Sequence, residues 1–122
     1  HERLYGRFAD PDRFTVTMGG MHALQIAVRL VAGEGDEVLV PTPAWPNFVG
    51  ALTVAGAVPV SVPMESGRAG FVLDLDRLAA AVTLKTRAII VNSPANPTGW
   101  TASRDELAAI LDGVEVWPVK TN

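Results

Sequence analysis

The sequence predicts a three-layer α/β/α sandwich around a mainly parallel sheet, and three features predict it. Short apolar runs rich in β-branched residues stop abruptly in loops of proline, glycine and asparagine, as strands covered on both faces do. Segments with helical apolar spacing alternate with those runs, an order that generates parallel strands with helices on either side. No repeat, linker or low-complexity tract interrupts the alternation over 122 residues, so one domain at most is expected.

In order along the chain, residues 2–9 suit the end of a helix, and Asp10-Pro11-Asp12 forces a turn. Residues 14–17, Phe-Thr-Val-Thr, read as a short strand, followed at once by Gly19 and Gly20. Residues 21–32 are almost wholly apolar and read as a buried helix ending near Gly33 and Gly35. Strands are expected at 37–40, 58–62 and 88–91, the second near a sheet edge because it contains Pro59. Residues 48–56 suit a helix and 65–70 a polar loop. Leu75, Leu78 and Val82 share one helical face, with Asp74 and Asp76 at its positive end as caps. Ser103-Arg104-Asp105-Glu106 has the spacing of a capping box and opens a helix over 107–111.

Composition sets the classes of partner. With 48% hydrophobic and 19% charged residues the chain is of folding rather than disordered type. Its net charge of -3 is not gathered into runs of either sign, so nucleic acid is not an expected partner. Cysteine is absent, which excludes disulfides, thiolate chemistry and cysteine-based metal sites and suits a reducing cytoplasm. No apolar run approaches the roughly 18 residues of a membrane span, and residues 1–4 lack a signal peptide's apolar segment. A soluble, cytoplasmic protein without metal or membrane partner is expected. No Met opens the chain, which reads as the interior of a longer reading frame or a processed product.

Three loops carry candidate binding chemistry. The run Ala88-Ile89-Ile90-Val91 ends in Asn92-Ser93-Pro94-Ala95-Asn96-Pro97-Thr98-Gly99. Two prolines there forbid an immediate helix, and the carboxyl end of a strand in an open α/β sheet is where ligands bind, so Asn92 and Asn96 can offer side-chain amides to a crevice. Gly19 and Gly20 precede a helix, whose first amides lack internal partners and favour an anion. Trp45 lies in Pro41-Thr42-Pro43-Ala44-Trp45-Pro46, a second proline-stiffened loop; its indole is either a packing residue or a flat platform for an aromatic ligand. His22 has no carboxylate beside it in sequence and reads as a packing or surface residue.

The segment Asn92 to Gly99 resembles the Asn-Pro-x-Asn-Pro-Thr-Gly signature of class I/II aminotransferases, fold-type I enzymes dependent on pyridoxal 5'-phosphate, with Ser93 set between the first Asn and the first Pro. Phe14-Thr15-Val16-Thr17-Met18-Gly19-Gly20-Met21-His22-Ala23-Leu24 resembles the cofactor-phosphate loop of the same family. The resemblance spans roughly residues 12–112. It implies that Gly19, Gly20 and Met21 hold the cofactor phosphate, that Trp45 stacks on the pyridine ring and that Asn96 bonds its phenolic oxygen, across a commonly cis Asn96-Pro97 bond. It also implies that residues 58–62, 37–40 and 88–91 are neighbouring strands in that order, with 14–17 at a distant edge. Amino acid and 2-oxo acid would be the substrates and a homodimer the usual assembly.

The same resemblance marks departures. The family's Schiff-base lysine has no match: Lys85 stands before the signature strand, at the wrong end for chemistry, and Lys120 lacks the family's serine-rich context. The expectation is therefore residues 1–112 as a partial cofactor-binding large domain, without a catalytic residue of its own, and 113–122 as an atypical tail left by a frameshift, premature stop or misjoined gene. A non-catalytic remnant or small phosphate-binding α/β module is the alternative from another class, and a carbon-sulfur lyase on the same fold the nearer one.

Overall fold

Val38 and Val40 face one side of a strand and Leu39 faces the other, and all three are buried. Only a strand covered on both faces allows this, and the rest of the fold is arranged to cover it. The computed structural model describes Gly6 and residues 10–116. In chain order the elements are α1 (Gly20–Val31), β1 (Glu37–Thr42), α2 (Pro46–Val54), β2 (Val58–Pro63), β3 (Glu65–Gly67), β4 (Gly70–Val72), α3 (Leu75–Ala80), β5 (Thr86–Ile89) and α4 (Arg104–Val116), after a 3-10 turn over Pro11–Arg13.

The main sheet has the order β2-β1-β5, all parallel, as the resemblance implies. Its two faces carry separate cores. Val28 and Ala32 of the α1 end and Leu52 of α2 pack on Val38 and Val40. Leu78 of α3, Ile110 of α4 and Trp100 pack with Leu39 and Val62 on the other face. The three-layer α/β/α sandwich is therefore present as a partial domain.

Local chemistry explains the boundaries. Pro59 lies in β2 at the sheet edge, and Pro41 of the central strand sits past the end of β5, so its missing N–H interrupts no ladder on that side. Asp74 caps α3, accepting from the amides of Asp76 at 2.9 Å and Arg77 at 3.0 Å. The capping box opens α4: Ser103 N–H donates to Glu106 Oε2 at 2.7 Å, and Glu106 N–H donates to Ser103 Oγ at 3.1 Å. That helix runs on through Gly113 to Val116.

Two expectations need correction. Residues 14–17 join neither sheet; Val16 is 96% exposed, and Phe14 continues from the 3-10 turn in extended conformation. An extended segment becomes a strand only beside a partner, and the β2-β1-β5 sheet offers it none. Residues 65–70 are not simply a loop but span the antiparallel β3–β4 hairpin, paired from Glu65–Val72 to Gly67–Gly70. Gly70, at φ +116°, supplies the turn conformation that a side chain disfavours. The expected helix end at residues 2–9 and most of the tail beyond Val116, Lys120 included, lie outside the described residues.

At the amino-terminal end of the sheet, Asp36 accepts from Gly33 N–H at 3.0 Å and from Arg87 Nε at 3.2 Å, tying the α1–β1 turn to β5. The Gly33 amide first, and Arg87 second, hold its carboxyl below the usual range, and the Ser103 bonds do the same for Glu106. A carboxylate whose pKa is depressed by folding contributes stability that is complete above its unfolded pKa and lost as pH falls through the folded one. Urea midpoints should therefore fall as pH drops below about 4, and the Asp36→Asn, Glu106→Gln double variant should flatten that slope. Leu39 is fully buried, so Leu39→Ala should lower unfolding free energy by about 2–5 kcal/mol in the same assay at neutral pH.

Candidate cofactor site

The carboxyl ends of β1 and β5 each feed a loop, and the loops meet over a small cleft. Val40, Pro41, Pro43, Ala44, Phe48 and Met64 line one side, and Ile90, Asn92, Ala95, Asn96 and Trp100 the other. The cleft is small, with about 10 Å³ of space, about enough for one water. Asn92 and Asn96, placed on one crevice by sequence reasoning, are brought together here.

The loop bearing Asn96 is closely tied. Ala95 N–H donates to Trp100 O at 2.7 Å and Gly99 N–H to Ala95 O at 2.8 Å. Trp100 N–H donates to Thr98 Oγ1 at 3.2 Å, and the indole is 7% exposed beneath the loop. The Asn96–Pro97 bond is cis, as are Ser93–Pro94 and Thr42–Pro43. The Asn96 side chain is exposed and has no hydrogen bond among the described residues, so its amide remains available to a ligand.

Trp45 is half-buried at the N-cap of α2, one residue from the cleft wall. Its ring meets Phe48 edge-on with centroids 5.6 Å apart, which braces the indole from one side. One edge of the ring packs, and the residue as a whole is half-buried.

Gly19, Gly20 and Met21 stand apart from the cleft lining, at the start of α1. Gly19 has φ +94° and ψ 172°, a conformation that essentially only glycine adopts. No side chain caps the first amides of α1, and no atom lies within 4 Å of where a Cβ would stand on Gly19 or Gly20. Uncapped helix amides facing open space fit a phosphate by donor chemistry and by room. His22 has a local use, since its Nδ1 accepts Met18 N–H at 3.2 Å.

Sequence reasoning missed Trp100, the floor of the signature loop, although an indole directly after Thr98-Gly99 was a visible signal. Lys85 lies in the turn before β5, with its carbonyl bonded to Glu37 N–H, at the opposite end of the strand from Asn92. Among the described residues no group of three or more His, Cys, Asp or Glu side chains is arranged to hold a metal, and no helix is long and apolar enough to cross a membrane.

The family model for aminotransferase class I and II matches residues 3–119. This chain belongs to that family. Its members use pyridoxal 5'-phosphate and act on amino and keto acids. The chain is 42% identical over 111 residues to a probable N-succinyldiaminopimelate aminotransferase of Mycobacterium tuberculosis, covering 90% of this chain and 28% of that protein. Against an aspartate aminotransferase of Geobacillus stearothermophilus the identity is 38% over 102 residues, 83% of this chain and 25% of the relative. The solved N-succinyldiaminopimelate aminotransferase from M. tuberculosis superposes with a TM-score of 0.84 at 41% identity, covering 93% of this chain and 30% of that one. An alanine aminotransferase from Pyrococcus furiosus gives 0.85 at 31% identity, covering 95% and 29%. The chain thus spans between a quarter and a third of the length of these relatives.

The two glycines should respond differently to substitution. Gly19→Ala should cost about 1–3 kcal/mol of local strain and displace the amides of Gly20 and Met21, visible as large shifts in their nitrogen–proton NMR signals. Gly20→Ala, in helical conformation and open space, should be neutral or stabilising by less than about 1 kcal/mol and leave the Met21 signal much nearer its wild-type position than Gly19→Ala does.

Proposed function

We propose that this chain is the portion of a pyridoxal 5'-phosphate-dependent aminotransferase that grips the cofactor by its phosphate, one ring face and its phenolic oxygen. The observation that carries this reading is the Asn92–Gly99 loop, held rigid over a strand end with the Asn96 amide exposed and unpaired among the described residues. The full-length enzyme would exchange an amino group between an amino acid and a 2-oxo acid, in the cytoplasm and as the family's usual homodimer. Residues 1–112 would be its partial large domain and 113–122 an atypical tail.

When bound, pyridoxal 5'-phosphate supplies an electron sink for charge developing at the amino acid Cα. Each assigned residue has a limited task. The amides of Gly19, Gly20 and Met21 would take the phosphate, favoured by the positive end of α1. Trp45 would cover one ring face and exclude water from it. Asn96 would donate to the phenolic oxygen, favouring its anionic form and fixing the ring's rotation about the phosphate anchor. The lysine that the reaction requires is assigned outside this chain, since Lys85 is at the wrong end of β5.

Absorbance titration of the purified chain tests this. Pyridoxal 5'-phosphate should bind at least about tenfold more tightly than pyridoxal, which lacks the phosphate. Asn96→Ala should weaken binding about tenfold and shift the bound spectrum toward the neutral phenol. Equal binding of the two compounds would exclude the phosphate cradle. Borohydride reduction followed by mass spectrometry should find no single preferred adduct; a specific adduct on Lys120 with amino-group transfer would overturn the assignment of the lysine elsewhere.

A further inference from the structure

Ser93 stands directly before Pro94 at the start of the signature loop, and the structure gives its hydroxyl a partner. Ser93 Oγ accepts Ala102 N–H at 2.9 Å. This bond joins the exit of the signature strand to the residue just before the capping box of α4, closing the mouth of the loop. Within it, Ala95 N–H to Trp100 O makes a second tie. Asn96 lies between the ties, and no hydrogen bond among the described residues holds its side chain. The direction of that amide therefore follows the loop backbone, which the two ties help to fix together with the Gly99–Ala95 bond.

We propose that Ser93 is a positioning residue: by accepting the Ala102 amide it fixes the loop that directs Asn96 toward the phenolic oxygen of the cofactor. The role rests on the assignment of Asn96 made above. It does not require Ser93 to touch the cofactor, and it separates loop order from general stability, because Ser93 is exposed and belongs to neither core.

Amide hydrogen exchange and cofactor absorbance, measured on Ser93→Ala and Ser93→Thr, test it. Ser93→Ala should speed exchange of the Ala102 amide by about 2- to 10-fold, weaken pyridoxal 5'-phosphate by a similar factor, and move the bound spectrum in the direction that Asn96→Ala moves it. Ser93→Thr, which keeps the acceptor oxygen, should restore all three. Exchange at Leu39 should be unchanged in both variants, which excludes global destabilisation as the cause. Unchanged Ala102 exchange in Ser93→Ala would overturn the tie itself. Faster exchange with a wild-type spectrum and affinity would overturn the positioning role while leaving the Asn96 assignment standing. If the wild-type chain binds no pyridoxal 5'-phosphate, the Asn96 assignment fails and the positioning role falls with it.

Discussion

The structure depends on the burial of β1 from both faces at once. Val38 and Val40 need α1 and α2 on one side, and Leu39 needs α3, α4 and Trp100 on the other. A strand neighbour on each edge satisfies its backbone while both faces are dry, and because both neighbours are parallel each connection needs a crossover, which the helices supply. The helices are thus a consequence of the strand. Because β2, β1 and β5 run parallel, the strands of the main sheet all end on the same side, and the loops leaving those ends are brought together.

The two ends of the sheet are built from different materials for that reason. At the amino-terminal end, Asp36, Arg87, Glu37 and Thr83 bond with one another or with backbone amides, and so hold turns to strands. At the carboxyl end the loops are stiffened instead by proline and by backbone bonds, which leaves side chains such as Asn96 unspent. A rigid loop with an unspent amide is poor at stabilising a fold and well suited to meeting a ligand, since little ordering entropy remains to be lost.

Much of this was legible in the sequence because the continuous apolar runs of the strands and the helical apolar spacing are local and strong. The caps at Asp74 and Ser103 followed from residue type and spacing, and the edge position of β2 from Pro59. The strand order came from resemblance, since no local pattern says which strands are neighbours. Residues 14–17 failed for a related reason: their composition suits a strand, but a strand is a pairing, and propensity cannot report whether a partner is present. The β3–β4 hairpin was hidden because its strands are three residues each and mostly exposed, too short for alternation to register. At the site, Asn96 was found through its motif, whereas Trp100 and the Ser93 bond act through tertiary contacts that no spacing rule describes.

The halves of the candidate site are attached to the fold with unequal firmness, and this bears on how a ligand would be held. The Asn96 loop is fastened by its own bonds to a strand end and sits on the buried indole of Trp100. The glycine loop is carried by the first turn of α1, where Met18 is 89% exposed and the segment before it joins neither sheet. A phosphate alone meets only the loosely held half, and an aromatic ring alone only the firm one. A molecule carrying both groups on one rigid frame makes the second contact intramolecular once the first has formed, so each half raises the effective concentration for the other. Under the proposed cofactor assignment, the firm half would set orientation and the glycine half retention, and a complete site would need a ligand long enough to reach both.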